Sequence, residues 1–542
     1  MSGEPVHWID RLAAKVEQYL RKRGKEEYVF NGGLSVSGLQ HIGRLRGEVL
    51  IPEALRKILE AKGYRIRQIL TLYTQDPWKG KKEQRAQFSD PEEAKKYTGW
   101  PLFKVPDPKG CHSNWVEHYW SDFGPYLGEF TDGRIDIVTT TELYKGPFKE
   151  FIMKIVIPRR EEFRATINKY RGRKPYPEGW IPVEPICENC GRIDKTVALN
   201  VSSDEIVEYK CKSCGHHGRT HVSNAKLNWR IEWAGIWYIL NVDFEPYGKD
   251  HATPGGSRDS CVDLARNVIG FEPPQGEWYE WVAIRANGKT SDMSSSGFVG
   301  ITPREWLEIA HPQILRYIYF SVDPHKKIIV DLERIPQYYD QYYRAERVYF
   351  GAEDVEDDAE RKYLARTYEL SHPVKPPERL PVQVPYAHMA ILAQIIGPSN
   401  VEEALKRLRK TGHVTGDVDD YSLSWIAGLL EKSYNWAIRY APGNMRFEIV
   451  GELDSTIREG LRYRDALCVL AKKLKALDNW SEDNIKNAMI EATAGMSAKD
   501  RREFYKEFYR LFLGRDYGPR AAPLLSLLDK DFVVGRLEEA CK

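Results

Sequence analysis

The sharpest chemistry-bearing spacing in this 542-residue chain is a pair of cysteine knuckles, Cys187-x-x-Cys190 and Cys211-x-x-Cys214, separated by residues 191–210. Two-residue gaps turn both sulfurs of a pair toward one point, and four thiolates make the closed tetrahedral set of a structural zinc site. Such a metal folds a small insert that has little core of its own. A redox dithiol is the competing reading. His216 and His217 beside the second knuckle are further nitrogen donors that four sulfurs leave unused. The other cysteines, Cys111, Cys261, Cys468 and Cys541, are scattered, so a reducing compartment and no disulfide framework are expected.

A second grouping is the loop from Gly33 to Arg44, which carries Ser35, Ser37, Gly38, His41 and Gly43 between an apolar strand and a helical pattern. Backbone N–H groups at a helix start point toward an anion, and glycines let the backbone approach a nucleotide. A histidine there donates a hydrogen bond to phosphate without a fixed charge. The bland alternative is an ordinary turn with a capping histidine. Asp250 and His251 follow the apolar run Val242-Asp243-Phe244, at the strand end where open α/β sheets bind ligands. Between Thr290 and Gly297 the chain is almost all small hydroxyl residues around Met293. Ser294 and Ser296 could close over a triphosphate, or the stretch is a plain serine-rich linker.

The elements that must position these groups are legible in outline. Trp8, Leu12, Val16 and Leu20 recur at helical spacing, so the chain is expected to open with an amphipathic helix. Tyr28-Val29-Phe30 reads as a strand stopped by Asn31-Gly32-Gly33. A helical pattern then runs through Leu45, Val49, Leu55 and Leu59, with a kink expected at Pro52 and a cap at Gly63. Tyr64 to Leu72 alternates as a second strand, and strand–helix–strand in this order predicts a parallel sheet. Residues 182–222 read as an insertion, residues 224–300 return to strands and loops, and from Thr302 onward helical spacing dominates. The clearest helical stretches there are Ala387 to Ile396, Tyr421 to Tyr440 and Ala466 to Leu477.

A hydrophobic share of 42% with 29% charged residues fits a globular, multidomain protein. No apolar run approaches the ~18 residues of a membrane span, and Met1 to Asp10 lacks the pattern of a signal peptide, so a cytoplasmic location is expected. The net charge of +2 makes no case for nucleic acid by itself. The local basic candidates are Lys79 to Lys82, Arg159-Arg160 and Arg171 to Lys174, each of which reads more readily as a solvated surface run than as a binding site.

The order of these features resembles the class I lysyl-tRNA synthetases of archaeal type, and the likeness covers nearly the whole chain. It is carried by long stretches: Val105 to His112, Val242 to His251, Tyr509 to Gly514 and Gly518-Pro519-Arg520. The resemblance implies a Rossmann-type α/β catalytic domain in two parts, 1–181 and 223–300, around a zinc-ribbon insert at 182–222. It further implies a stem-contact segment at 301–350 and an all-α anticodon-binding domain at 351–542.

The implied activity is ATP-dependent attachment of L-lysine to tRNA through a lysyl-adenylate, with Mg2+ accompanying ATP. The alternatives are a catalytically impaired tRNA-binding paralogue, or a ligase for another amino acid. Ser37, Gly38, His41, Gly43, Arg44, Asp250, Met293, Ser294 and Ser296 would serve ATP. Gly33, Ser35, Asp76, Trp229, His251 and Tyr279 would line the amino-acid pocket. The sequence departs from the family pattern at three places. Asp292 and Gly297 stand where the family's Lys-Met-Ser-x-Ser-Lys motif has lysines. Arg44 replaces the usual Asn, and Tyr73-Thr74-Gln75-Asp76 keeps one acid of an acidic cluster. Arg285, Lys289 or Arg44 would then have to replace the missing positive charge.

Overall fold

In the computed structural model, which describes residues 5–172 and 174–542, the expected opening helix is α1 (Trp8–Arg23). Its side chains Trp8, Leu12, Val16 and Leu20 are buried, and Gly24 closes it in a left-handed conformation with its N–H donated to the Leu20 carbonyl. β1 (Tyr28–Leu34) follows, then β2 (Ile66–Leu72) and β3 (Asp136–Thr139). Later come β9 (Val242–Gly248) and β10 (Gln275–Tyr279). These five strands form one sheet in the order β10-β9-β1-β2-β3, every pair parallel. The chain steps one way from β1 to β3, then returns to build outward from β1's other edge. The reversal lies between β1 and β9, which makes their C-terminal ends the ligand crevice of a doubly wound sheet.

β1 does not stop at Asn31. It runs through Gly32 and Gly33 to Leu34, paired with β2 throughout. The glycines are packing devices, not terminators: a Cβ on Gly32 would run into the Glu48 carbonyl, and one on Gly33 would sit 2.9 Å from the Tyr73 ring. The irregularity expected at Pro52 takes the form of a π turn, Leu45–Leu50, leading straight into α2 (Ile51–Glu60). Proline has no N–H to offer the Glu48 carbonyl, so the preceding turn widens and that carbonyl lies against Gly32.

One face of the sheet packs with α1, α2 and the helix Pro312–Phe320; the other is covered by helices over 140–151, 229–239 and 257–263. Arg316, fully buried, ties the layers together. It pairs with Glu53 of α2 at 3.0 Å and donates to the carbonyls of Phe130 and Leu370.

The insert is a small antiparallel unit. β4 (Val183–Pro185) pairs with β8 (Ala225–Leu227) at its base, and β5 (Thr196–Val201), β6 (Ile206–Cys211) and β7 (His217–His221) form its sheet. A second small sheet joins the hairpin β11 (Val282–Ala286) and β12 (Lys289–Asp292) to β13 (Ile328–Asp331). From Ile335 onward all regular elements among the described residues are helical, and Tyr386–Ile396, Asp420–Arg439 and Arg464–Lys475 match the three expected stretches. The cysteine pattern needs one correction. Cys468 and Cys541 form a disulfide between the helices Arg464–Lys475 and Lys530–Cys541. Their separation of 73 residues carries no local signal; only the packing of those two helices brings them together. No helix among the described residues is long and apolar enough to cross a membrane.

Candidate active site

The crevice at the ends of β1 and β9 opens into a cavity of about 900 Å³, in the upper part of the size range for small-molecule sites. Most of the residues singled out from sequence meet there: Gly33, Ser35, Ser37, His41, Gly43, Arg44, Asp76, Trp229, Asp250, His251, Tyr279, Met293, Ser294 and Ser296 all line it. Gly38 does not; it lets two loops touch, since a Cβ would collide with the Ser295 carbonyl and lie 3.0 Å from Phe298. The His41 loop and the serine loop are therefore packed against each other. Gly300 continues that contact: a Cβ there would approach the His41 side chain at 2.8 Å.

One end of the cavity is built around His41. Burial, and secondarily the nearby Arg44 charge, push its pKa down to about 3, so the ring is neutral, and its Nδ1 is buried without a partner. A Cβ on Gly43 would lie 2.9 Å from that Nδ1 and 3.3 Å from Met293 Sδ. Arg44 donates to Glu48 Oε1 at 2.8 Å, so its charge is already matched. His251 stands 3.6 Å from the Asp250 carboxylate and against Trp233, with ring centroids 5.1 Å apart; burial lowers its pKa. Asp292 forms an ion pair with Lys327 at 2.5 Å, so the acid in the serine loop is neutralised from β13's N-terminal flank.

The other end is acidic. Asp76 at the end of β2 shares the buried Lys226 ammonium (3.2 Å) with Glu232, which also accepts from Tyr144 at 2.7 Å. Glu184 also lines this end, and burial raises its pKa to about 7. Glu245 forms the floor: it accepts from Asn31 (2.7 Å), Trp233 (2.6 Å) and Trp237 (3.0 Å) and is pushed up by burial. Three carboxylates, of Asp76, Glu184 and Glu232, thus lie around Lys226, with Glu245 on the floor of the same cavity. Glu184, Glu232, Glu245, Lys226 and Trp233 were not singled out from sequence. Glu232 carried a signal, being the one acid in the mostly apolar run Trp229–Ile239.

The two cations expected to compensate elsewhere are not brought to the cavity. The antiparallel β11–β12 pairing sets Arg285 opposite Thr290, where it donates to the Thr290 hydroxyl at 2.9 Å and reaches toward Asp331 at 3.5 Å. Lys289 opens β12 as an exposed residue, outside the cavity lining. Of the basic runs, Arg159 pairs with Glu162, Arg171 stacks 3.9 Å over Tyr176, and Arg173 lies outside the described residues.

The four knuckle sulfurs of Cys187, Cys190, Cys211 and Cys214 lie within 4.8 Å of one another. Each knuckle turns on a left-handed glycine, Gly191 and Gly215, whose N–H bonds back to the carbonyl of Cys187 and Cys211. Trp100 donates to the Cys190 carbonyl at 2.8 Å, which anchors the insert to the main body. A second such set is Asp107, Cys111, His112 and His118. Its Cys111 sulfur is 3.1 Å from His112 and 3.2 Å from His118, and Asp107 is 3.0 Å from His118.

Comparison with known proteins fits this arrangement. Residues 6–374 match the family model described as tRNA synthetases class I (K). A lysine–tRNA ligase of Aeropyrum pernix is 60% identical over 99% of this chain and 98% of its own length. Those of Methanocaldococcus jannaschii and Pyrococcus furiosus are 32% and 33% identical, each over 98% of this chain and 99% of their own length. With a doubly wound sheet, a crevice at its switch point and a family match covering more than half its length, the chain belongs to the class I (K) tRNA synthetases.

Proposed function

We propose that the protein attaches L-lysine to tRNA at the expense of ATP, through a lysyl-adenylate formed in the cavity at the ends of β1 and β9. One observation carries this reading: a single cavity joins a glycine-rich, neutral-histidine end to an end where three carboxylates lie around Lys226 and a fourth, Glu245, forms the floor. Neutral donors and backbone suit a polyphosphate; a surplus of carboxylates suits a cationic side chain. The names of the relatives point the same way.

In this reading Ser37, His41, Gly43, Asp250, Met293, Ser294 and Ser296 hold ATP with its Mg2+, and Gly38 lets the His41 loop and the serine loop meet. His41, neutral at working pH, donates to phosphate. Gly33, Ser35, Asp76, Trp229, His251 and Tyr279 hold lysine, joined by Glu184, Glu232 and Glu245. The lysine carboxylate oxygen bonds to the α-phosphorus, and the bond from that phosphorus to the α–β bridging oxygen breaks. Pyrophosphate leaves with the electron pair. Lysine then passes to the terminal adenosine of tRNA, releasing AMP. Positioning and charge neutralisation do the work, so no covalent intermediate on the protein is needed. Residues 301–350 would contact the acceptor stem and 351–542 the anticodon, in the cytoplasm.

Zinc suits both ligand sets: the knuckles give four sulfurs, and Asp107, Cys111, His112 and His118 give one oxygen, one sulfur and two nitrogens. Incubation of the protein with ATP, labelled lysine and archaeal tRNA should yield a lysyl ester on the RNA. An ester with a different amino acid, or none with any, overturns the proposal.

A further inference from the structure

The serine loop, Asp292 to Gly297, holds no cation, Arg285 and Lys289 do not reach the cavity, and Arg44, which lines it, is committed to Glu48. Three cationic side chains line it: Arg44, Lys79 and Lys226. Arg44 is matched by Glu48, and Lys226 by Asp76 and Glu232. Lys79 is exposed and, among the described residues, has no carboxylate within ion-pairing distance. Two residues on, Lys81 extends its ammonium to Ser296 Oγ at 2.9 Å and likewise has no carboxylate partner among the described residues. The short helix that follows, Lys82–Arg85, fixes this segment in place. Gln84 accepts from the Lys81 N–H at 2.9 Å and donates to the Ser37 carbonyl at 2.8 Å. The 79–84 segment therefore bridges the His41 loop and the serine loop and presents two uncommitted ammonium groups beside both.

Resting on the function proposed above, we infer that Lys79 and Lys81 bind the β- and γ-phosphates of ATP and take up the charge of departing pyrophosphate. They would do so in place of lysines within the serine loop. The geometry explains why Asp292 is tolerated: Lys327 cancels it, while the phosphate-facing charge comes from a different element. Ser296 would hold Lys81 in position until phosphate replaces it as the partner. A run that reads from sequence first as a solvated surface run thus becomes part of the substrate site.

The test uses the full chain with Lys79→Ala, Lys81→Ala, the double variant and Lys81→Arg. In lysine-dependent ATP–pyrophosphate exchange, each alanine should raise the KM for pyrophosphate and lower the rate by about 100- to 1000-fold, on the order of one lost charge-stabilising donor. The KM for lysine should stay within about twofold, and Lys81→Arg should keep most of the rate. Transfer of lysine from an isolated enzyme–adenylate complex to tRNA involves no pyrophosphate and should be unchanged. Calorimetry with inorganic tripolyphosphate should show binding to the unsubstituted protein and a loss of at least tenfold in the double variant. Wild-type exchange rates, or an equal loss in the transfer step, would overturn the assignment. Absence of lysine-dependent exchange in the unsubstituted protein would instead overturn the reading on which it rests.

Discussion

At the acidic end of the cavity, the half-buried Glu184 sits close enough to its titration range to make substrate binding depend on pH. Burial raises its pKa to about 7. Below pH 7 it gains a proton, and the pocket loses one of the negative charges that would hold a cationic side chain. The KM for lysine should therefore rise several-fold between pH 8 and pH 6, the size expected for a partly screened charge pair. Glu184→Gln should show the raised KM throughout and a flatter profile. An unchanged pH dependence in that variant would remove Glu184 from the pocket. The same raised pKa favours the fold at low pH: its contribution is fully present below the unfolded value of 4.5 and is lost as pH rises through 7. His41 does not compete in this window, because its pKa of about 3 leaves it neutral.

Residue types told much of this site and hid one part of it. The His41 loop, Asp250 and His251, and the serine loop announced themselves by glycine, histidine and hydroxyl content at strand ends. Glu184 and Lys226 did not, because β4 and β8 are distant in sequence from Asp76 and meet it only in the fold. A single remaining acid in Tyr73 to Asp76 read as a loss of the cation-binding cluster. The structure sets Glu184 and Glu232 beside Asp76 in the cavity wall.

Among the elements, the insert is the one whose stability should hang on metal. Its core is small: among buried apolar groups only Cys187, Tyr209 and Cys211 cluster at the knuckles. Four sulfurs would substitute for the missing apolar contacts. Purified protein should carry about two zinc ions, falling to about one after His118→Ala or after Cys211→Ser. Only the latter should open residues 182–222 to proteolysis. Protein with no zinc, or an insert that resists proteolysis after Cys211→Ser, would contradict this. The first strand shows the opposite lesson in legibility. Gly32 and Gly33 look like a stop signal, yet they continue β1, because their missing side chains make room for the Glu48 carbonyl and the Tyr73 ring. Local sequence cannot distinguish a glycine that ends a strand from one that admits a neighbour.

Across the whole molecule, two cores meet at the parallel sheet, and one of them runs on into the C-terminal helices. The last helix, Lys530–Cys541, is held to that bundle by packing and by the Cys468–Cys541 bond. Closing a loop of that length restricts the unfolded chain and is worth about 2–4 kcal/mol. Cys468→Ser, or reduction of the native protein, should lower the unfolding temperature by several degrees while leaving amino-acid activation intact. Equal melting temperatures with and without reductant would show that the bond adds nothing.

In the proposed function the acidic end of the cavity selects lysine and the His41 end presents ATP to its carboxylate. ATP–pyrophosphate exchange with each of the twenty amino acids, with and without tRNA, tests it most directly. Exchange should be driven by lysine and by no other amino acid at comparable concentration. Exchange driven by another amino acid, or no exchange under either condition, would contradict it.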